Sequence, residues 1–268
     1  MSQRSTKYAA RHLVKAVHRA IGQYGLINPG ERIMVAVSEG ADSLSLFNIL
    51  LSLQRGGALD CRLIAAHVFP GWPPETHPAA LRAYFDTLGV PLAIDESLPS
   101  DELVRIQGGK HTCYQCARYR RRRLIHMAVE FGCRRIAMAH HREDVLETVM
   151  INIFERGRIS TMVPSQELFG GQIEIIRPFY AVEERRIKAY ARLTGLPLFA
   201  YQCPAAHSRR AFWKKHLRML DRQRPGAIAN LFGSLHHIET KFLPSGFSRQ
   251  REDFHTKELH STALLHPV

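Results

Sequence analysis

The clearest guide to the architecture lies at residues 32–43, which read RIMVAVSEGADS. The first half is short, apolar and rich in residues that favour strands, so it predicts a buried strand. The second half is a turn of small residues that opens a helix. Such a turn places unpaired helix N–H groups at the carboxyl edge of a sheet, where an anion can bind. The stretch therefore predicts a strand–turn–helix unit with a candidate phosphate site.

The polar side chains of this turn suit a nucleotide. Ser38 and Ser43 can add hydroxyl donors, and Asp42 can hold a Mg²⁺ ion that bridges phosphates. The turn is not a Walker A loop, because it lacks the sequence G-K-[ST]. An ordinary strand–helix turn without a ligand stays open as the alternative.

Strands and helices continue to alternate along the chain. We expect further strands at residues 62–69, 91–94, 135–139 and 174–176, and helices at 6–23, 77–88, 117–131, 143–154, 183–193, 209–222 and 228–240. This order predicts an α/β fold in which a parallel five-stranded sheet carries helices on both faces. We expect a nucleotide-binding domain at residues 1–200, a helical appendage at 201–244 and a polar, disordered tail at 245–268.

The five cysteines fall into two groups. Cys61 and Cys133 lie in apolar surroundings and are interpreted as small core residues. The other three are Cys113 and Cys116, which form a C-x-x-C ahead of a helix, and Cys203. Three separated thiols in a chain with no export signal favour a metal or an iron–sulfur cluster over a disulfide. A Cys3His zinc site completed by His207 is the alternative.

The charge of the chain indicates a polyanionic partner. It has 37 Lys and Arg against 24 Asp and Glu, a formal net charge of +13. Such an excess favours nucleic acid. One basic run follows the C-x-x-C, and a second, with Phe212 and Trp213 interleaved, occupies residues 209–224. No apolar run approaches the ~20 residues that cross a bilayer, so we expect a cytoplasmic protein without membrane association.

Several ordered motifs resemble one family. Residues 35–43 are similar to the S-G-G-x-D-S loop of the PP-loop ATPases, except that Glu39 replaces the first glycine. Residues 113–121, CYQCARYRR, resemble the C-x-x-C-x-R-x-R-R of the tRNA 2-thiocytidine synthetases. Residues 139–148, AHHREDVLET, resemble their G-H-H-R-D-D-x-x-E-T, with Ala139 for the glycine and Glu143 for the first aspartate. The segment at residues 176–179, IRPF, matches their I-R-P-L.

This resemblance implies ATP- and Mg²⁺-dependent thiolation of a cytidine in the tRNA anticodon loop. It implies a [4Fe–4S] cluster on Cys113, Cys116 and Cys203, with Asp42 and Asp144 as the catalytic carboxylates. The ATP contacts expected with it are Ala36, Val37, Ser38, Gly40, Asp42, Ser43, His67, Ala139 and Asp144. The tRNA contacts expected are Arg118, Arg121, Arg122, Lys214 and Arg218.

The expected chemistry begins with adenylation of the C2 oxygen of the cytidine, followed by attack of sulfide carried by the cluster. The partners are then tRNA and a sulfur donor, such as a cysteine desulfurase or free sulfide, and a homodimer is compatible with the sequence. Three other readings stay open: a PP-loop adenylating ligase without a cluster, a non-catalytic RNA-binding or sulfur-carrying relative whose Glu39 has ended ATP turnover, and the same chemistry on another substrate.

Overall fold

The computed structural model describes residues 3–69, 78–96, 113–197 and 209–242, and the side chains of 10–69, 78–96, 116–197 and 209–242. Contact clustering divides the chain into two compact units, Met1–Pro225 and Gly226–Val268. The described part of the second unit holds helix α8 (Ala227–Ser234) and a 3-10 turn (Thr240–Phe242). Everything that follows concerns the first unit.

The first unit is built on one sheet. Its strands are β1 (Glu31–Ala36), β2 (Cys61–Val68), β3 (Leu92–Asp95), β4 (Arg135–Ala137), β5 (Ser165–Leu168) and β6 (Ile173–Ile176). They lie in the order β3-β2-β1-β4-β6-β5. All neighbouring pairs are parallel except β5 and β6, which are antiparallel. The α/β fold class is confirmed: the five predicted strands are present and parallel, and the sheet has a sixth, antiparallel strand, β5, that was not predicted.

Seven helices of the described chain belong to this unit. They are α1 (Gln3–Gln23), α2 (Ala41–Arg55), α3 (Ala79–Leu88), α4 (Cys113–Glu130), α5 (Arg142–Arg156), α6 (Glu184–Leu193) and α7 (Arg209–Gln223). Most bounds lie within two residues of those predicted. Helix α1 begins three residues before its predicted start, and α8 ends at Ser234 rather than near residue 240. Helix α4 begins at Cys113 and not near Ala117. The C-x-x-C therefore forms the first turn of a helix rather than a preceding loop.

Alternate residues of β1 face opposite sides of the sheet. Ile33 and Val35 pack into a core with residues of α1, α2, α3 and α6, whereas Met34 packs with residues of α4 on the other face. Because successive strand side chains point to opposite faces, a strand that is apolar throughout must be covered on both sides. This explains why the apolar run of the sequence became a central strand.

The strand order creates a crevice at one edge of the sheet. The chain proceeds outward from β1 through β2 to β3, and then crosses to β4 on the other side of β1. At such a reversal the loops after β1 and β4 leave in opposite directions, which opens a ligand crevice outside the carboxyl ends of the two strands. The turn at residues 37–40 follows β1, and the segment at 138–141 follows β4, so both face this crevice.

In the described part of the chain, no helix combines the length and apolar character that a membrane crossing requires.

Candidate active site at the carboxyl edge of the sheet

The turn after β1 is folded around the hydroxyl groups of Ser38 and Ser43. The backbone N–H of Ser38 donates to Ser43 Oγ at 2.8 Å, and the two hydroxyl oxygens lie 2.9 Å apart. Gly40 caps α2 in an extended conformation, without a side-chain hydrogen bond to the helix. A Cβ at position 40 would lie 3.3 Å from Ser38 Oγ, so the turn is closely packed there. The serines thus shape the turn, and the N–H groups that open α2 remain the anion donors.

Asp42 lies in the first turn of α2, half-buried at the crevice. Its Oδ1 is buried and has no hydrogen-bond partner among the described residues. Burial raises the pKa of Asp42, His141 lowers it, and the carboxylate of Asp144 raises it further. A buried carboxylate oxygen without a donor is costly unless something neutralises it. The arrangement therefore fits a cation between this residue and a bound phosphate.

His141 joins the loops that follow β1 and β4. Its Nε2 lies 3.5 Å from Asp144 Oδ2 and 3.9 Å from Asp42 Oδ2, and its Nδ1 lies 3.2 Å from Glu143 Oε2. Burial lowers the pKa of His141, but the three carboxylates outweigh it and the net direction is upward. This position of His141 between the two predicted catalytic carboxylates was not predicted from the sequence.

The pKa of the neighbouring His140 is shifted in the opposite direction, downward. It is half-buried with its Nδ1 atom enclosed, and desolvation lowers its pKa to about 3, against the attraction of Asp144. Arg177 and Arg210 disfavour the imidazolium further. Two adjacent residues after a strand point in different directions, and here this places one ring among carboxylates and the other among cations. His140 is consequently neutral at physiological pH.

Asp144 closes the site from the start of α5. Its Oδ2 accepts the backbone N–H of His141 at 3.0 Å, which caps the helix, and its Oδ1 pairs with Arg210 Nη1 at 3.3 Å. The structure thus brings together Asp42 and Asp144, which are far apart in sequence. A Mg²⁺ ion held by one or two carboxylates together with substrate phosphates and waters needs only such a pair.

Glu143 uses its longer side chain to cap another helix. Its Oε2 accepts the backbone N–H of Glu184 at 2.8 Å, at the start of α6. Burial raises the pKa of Glu143, but the hydrogen bonds from His141 and Glu184 outweigh this and bring it down to about 2. The glutamate at this position therefore remains ionised and holds α6 against the β4–α5 loop.

Glu147 belongs to the site and was not predicted from the sequence. It lies one turn beyond Asp144, only 3% exposed, and its Oε1 has no partner within the described ranges. Burial, reinforced by Asp144, raises its pKa to about 7. The signal that could have found it is its place in the run AHHREDVLET, one helical turn from Asp144 on the same face.

The remaining predicted nucleotide contacts lie along the same edge. Ala36 ends β1, Val37 follows it, and Ala139 follows β4 as a half-buried residue. His67 lies near the end of β2, where its Nδ1 is 3.0 Å from the carbonyl oxygen of Val37. Burial lowers the pKa of His67. His67 therefore supports the backbone that leads into the turn.

Helix α4 carries the C-x-x-C in its first turn and a run of arginines just beyond it. Cys113 and Cys116 are three residues apart in its first turn, and Cys116 is half-buried. Further along, Arg120 acts electrostatically on Glu39 and His67, and Arg121 acts on His140. Arg118, Arg121 and Arg122 are exposed.

Arg123 forms an ion pair with Asp95 at the end of β3, which anchors the helix to the sheet.

Cys203 and His207 lie outside the described residues. Within those residues, no group of three or more His, Cys, Asp or Glu side chains is arranged to hold a metal ion. Cys61 and Cys133 are buried, and burial raises the pKa of each thiol to about 11. They are therefore poor thiolate donors, and the cluster ligands Cys113, Cys116 and Cys203 that the resemblance implies stay a prediction.

The second basic run is partly neutralised. Lys214 Nζ and Arg218 Nη2 lie 2.9 Å and 3.3 Å from the carboxylate of Glu184. Trp213 donates its indole N–H to Glu155 Oε1 at 3.2 Å. Helix α7 is thus docked onto carboxylates of α5 and α6, and the predicted tRNA contacts of Lys214 and Arg218 stay predictions.

Comparison with known proteins agrees with this geometry. A family model described as a PP-loop domain matches residues 7–206. A tRNA-cytidine(32) 2-sulfurtransferase of Polynucleobacter asymbioticus is 36% identical over 88% of this chain and 79% of its own. A second, from Shewanella pealeana, is 35% identical over 94% of this chain and 80% of its own. This chain belongs to the tRNA-cytidine(32) 2-sulfurtransferase family.

Membership in the tRNA-cytidine(32) 2-sulfurtransferase family makes the chain a sulfurtransferase of the PP-loop type. Among solved structures, the U34-tRNA thiolase NcsA from Methanococcus maripaludis, solved with its [4Fe-4S] cluster, has the same fold. It superposes with a TM-score of 0.69 at 21% identity, over 90% of this chain and 84% of that one. The fold, the family and the crevice thus point to the same class of enzyme.

Proposed function

We propose that the chain replaces the C2 oxygen of a tRNA cytidine with sulfur, at the position named in its relatives, using ATP, Mg²⁺ and a [4Fe–4S] cluster. The observation that carries the proposal is the convergence of Asp42 and Asp144 on His141, beside the turn that opens α2. Sequence similarity to the tRNA-cytidine(32) 2-sulfurtransferases supports the substrate. The C-x-x-C in the first turn of α4, together with Cys203, supports the cluster.

The first step would activate the cytidine. Its C2 oxygen attacks the α-phosphorus of ATP, an O–P bond forms, the bond to the β-phosphate breaks, and pyrophosphate leaves. The N–H groups of the turn and a Mg²⁺ ion on Asp42 and Asp144 would neutralise the charge on the departing pyrophosphate. His141 would hold the two carboxylates in place, because it contacts both.

The second step would exchange the activated oxygen for sulfur. A hydrosulfide attacks C2, a C–S bond forms, the C–O bond breaks and AMP leaves, so no oxidant or reductant is consumed. Three protein thiolates leave one iron of a [4Fe–4S] cluster free, where an exogenous sulfur ligand can be carried. Cys113 and Cys116 would hold the cluster at the start of α4, whose arginines reach the crevice electrostatically.

Iron and acid-labile sulfide measured after anaerobic purification test the cluster. We expect about four of each per chain in the wild type and a sharp loss in Cys203→Ala. Cys133→Ala is the matched control, because Cys133 is a buried thiol in the core under α4. One zinc per chain without sulfide would overturn the cluster mechanism.

Mass spectrometry of tRNA nucleosides tests the reaction. With ATP, Mg²⁺ and sulfide, the wild type should convert cytidine to 2-thiocytidine and release one AMP for each sulfur inserted. Asp144→Asn should abolish the product. ATP-dependent ligation of a nitrogen nucleophile by a preparation free of iron would contradict the proposal and favour a PP-loop ligase.

A further inference from the structure

Four aromatic rings lie together where α7 crosses the end of α5. The aromatic surface consists of Phe154, Phe212, Trp213 and His216. The rings of Phe154 and Trp213 stack with centroids 4.8 Å apart, and those of Phe212 and His216 lie 4.0 Å apart. Phe212 meets Trp213 edge-on at 5.2 Å. The outer members are exposed, Phe154 by 65% and Phe212 by 53%.

The docking of α7 does not use the solvent-exposed faces of the outer rings. It is held by ion pairs to Asp144, Glu155 and Glu184 and by buried Leu217. Trp213 is the inner member, since its indole N–H is satisfied by Glu155 and its ring is covered by Phe154. Phe154 and Phe212 therefore expose apolar ring faces to water. This exposure is unfavourable, and packing within the described chain does not offset it.

The margin of the aromatic surface is positively charged. Arg209 and Lys215 are exposed on α7, and Arg158 is exposed just past the end of α5. Glu155 is the acidic residue at this margin, and it already pairs with Arg209 at 3.0 Å. Neither Lys215 nor Arg158 has a carboxylate at ion-pair distance in the described part of the chain. Exposed rings with unpaired cations beside them fit bases and phosphates of single-stranded nucleic acid.

We propose that the aromatic surface stacks on unpaired nucleotides of the RNA substrate. This inference rests on the proposed function and adds the site where the loop next to the target is held. The surface fits a second copy of the chain less well, because a two-fold interface would bring this positively charged margin against the same margin of the other copy.

The position of the surface suits a nucleotide near the target. Asp144 and Phe154 belong to the same helix, and ten residues at 1.5 Å each separate them by about 15 Å. At about 3.4 Å per stacked nucleotide, this distance corresponds to roughly four nucleotides. A loop whose reactive cytidine lies at the crevice would therefore reach Phe154 and Phe212 a few nucleotides away.

Trp213 provides a direct signal for this contact. The chain has two tryptophans, Trp72 and Trp213, so Trp72→Phe leaves Trp213 as the single tryptophan, which is excited selectively at wavelengths where tyrosine does not absorb. The probes are a tRNA anticodon stem-loop and the same stem closed as a continuous duplex. The stem-loop should quench Trp213 emission, and the duplex should not.

Leucine substitutions separate stacking from apolar contact. Phe212→Leu and Phe154→Leu should each weaken binding of the stem-loop about tenfold and leave binding of the duplex unchanged, because stacking is lost while apolar area is kept. Phe169→Leu is the matched control, since Phe169 is 63% exposed and lies in the turn between β5 and β6, outside both α5 and α7. Unchanged affinity of the stem-loop in both variants would overturn the inference.

Failure of this inference and failure of the proposed function give different results. If the wild type makes 2-thiocytidine and the leucine variants bind the stem-loop as it does, the inference fails and the proposed function stands. If the wild type makes no 2-thiocytidine but binding depends on the rings, the proposed function fails alone. A dimer in light scattering that Phe212→Asp dissociates, with RNA affinity unchanged in Phe212→Leu, would assign the surface to a second copy and overturn the inference.

Discussion

Arg210 in α7 forms an ion pair with Asp144 in α5, with 3.3 Å between Nη1 and Oδ1. Asp144 is also the helix cap of α5 and lies across His141 from Asp42. Helix α7 begins at Arg209, shortly after Cys203. The ion pair thus connects the segment that would supply the third cluster ligand to the carboxylate that would bind the metal of ATP.

Arg210→Gln should lower the Mg²⁺ concentration that gives half-maximal activity. A guanidinium on Asp144 competes with a cation for the same oxygen, so its removal should favour Mg²⁺ by roughly two- to tenfold. The cost in stability should be small, about 1 kcal/mol or less, because Arg210 is 43% exposed. A Mg²⁺ titration of 2-thiocytidine formation measures the effect. A higher Mg²⁺ requirement in the variant would show that Arg210 assists the metal rather than competing with it.

Glu39→Gln should strengthen ATP binding. Glu39 stands in the turn that would bind the phosphates in the proposed function, and burial raises the pKa of its carboxyl while Arg120 lowers it. Removal of a nearby negative charge should favour a triphosphate by about 1 kcal/mol, or roughly fivefold in Kd. Calorimetric titration with ATP measures this, with Glu167→Gln on exposed β5 as the control. An unchanged Kd would mean that the Glu39 carboxylate points away from the phosphates.

Glu147→Gln should stabilise the protein at neutral pH and not in acid. The pKa of Glu147 is raised from 4.5 to about 7, so between these values the folded chain keeps a proton that the unfolded chain has released. Wild-type stability therefore falls as the pH rises through this window. The variant lacks this loss. Its free energy of unfolding relative to the wild type should therefore increase by on the order of 3 kcal/mol between pH 4.5 and 7. Urea unfolding at several pH values tests it, and a pH-independent difference would contradict it.

Arg122→Gln and Lys214→Gln should differ in their effect on tRNA binding. Arg122 is exposed on α4, whereas Lys214 is held 2.9 Å from Glu184. Loss of a phosphate contact reduces the slope of log affinity against log salt by about one. We expect this for Arg122→Gln, while Lys214→Gln should keep the slope and lower the melting temperature. Binding isotherms between low and moderate salt measure the slope for each variant. A reduced slope in Lys214→Gln would contradict this expectation and show that Lys214 contacts RNA.

Much of the fold follows from local patterns. The apolar run at residues 32–37 could only be a strand covered on both faces, and its neighbours alternate in the same way. Strand β5 was missed because its sequence, SQEL, is polar and has no strand pattern. It exists because its backbone pairs with β6, which is a tertiary contact. The start of α4 was missed for a related reason, since cysteine and tyrosine carry little helical signal.

The sequence by itself determined the nucleotide turn, the order of strands and helices, the basic character and the cysteine pattern. These depend on residue type and on spacing over short distances. Only the tertiary structure decided that His141 lies between Asp42 and Asp144, that Glu184 binds Lys214 and Arg218, and that Glu147 is buried. The physical reason is that ion pairs and pKa values depend on distances between segments remote in sequence, and the order of strands in the sheet sets those distances.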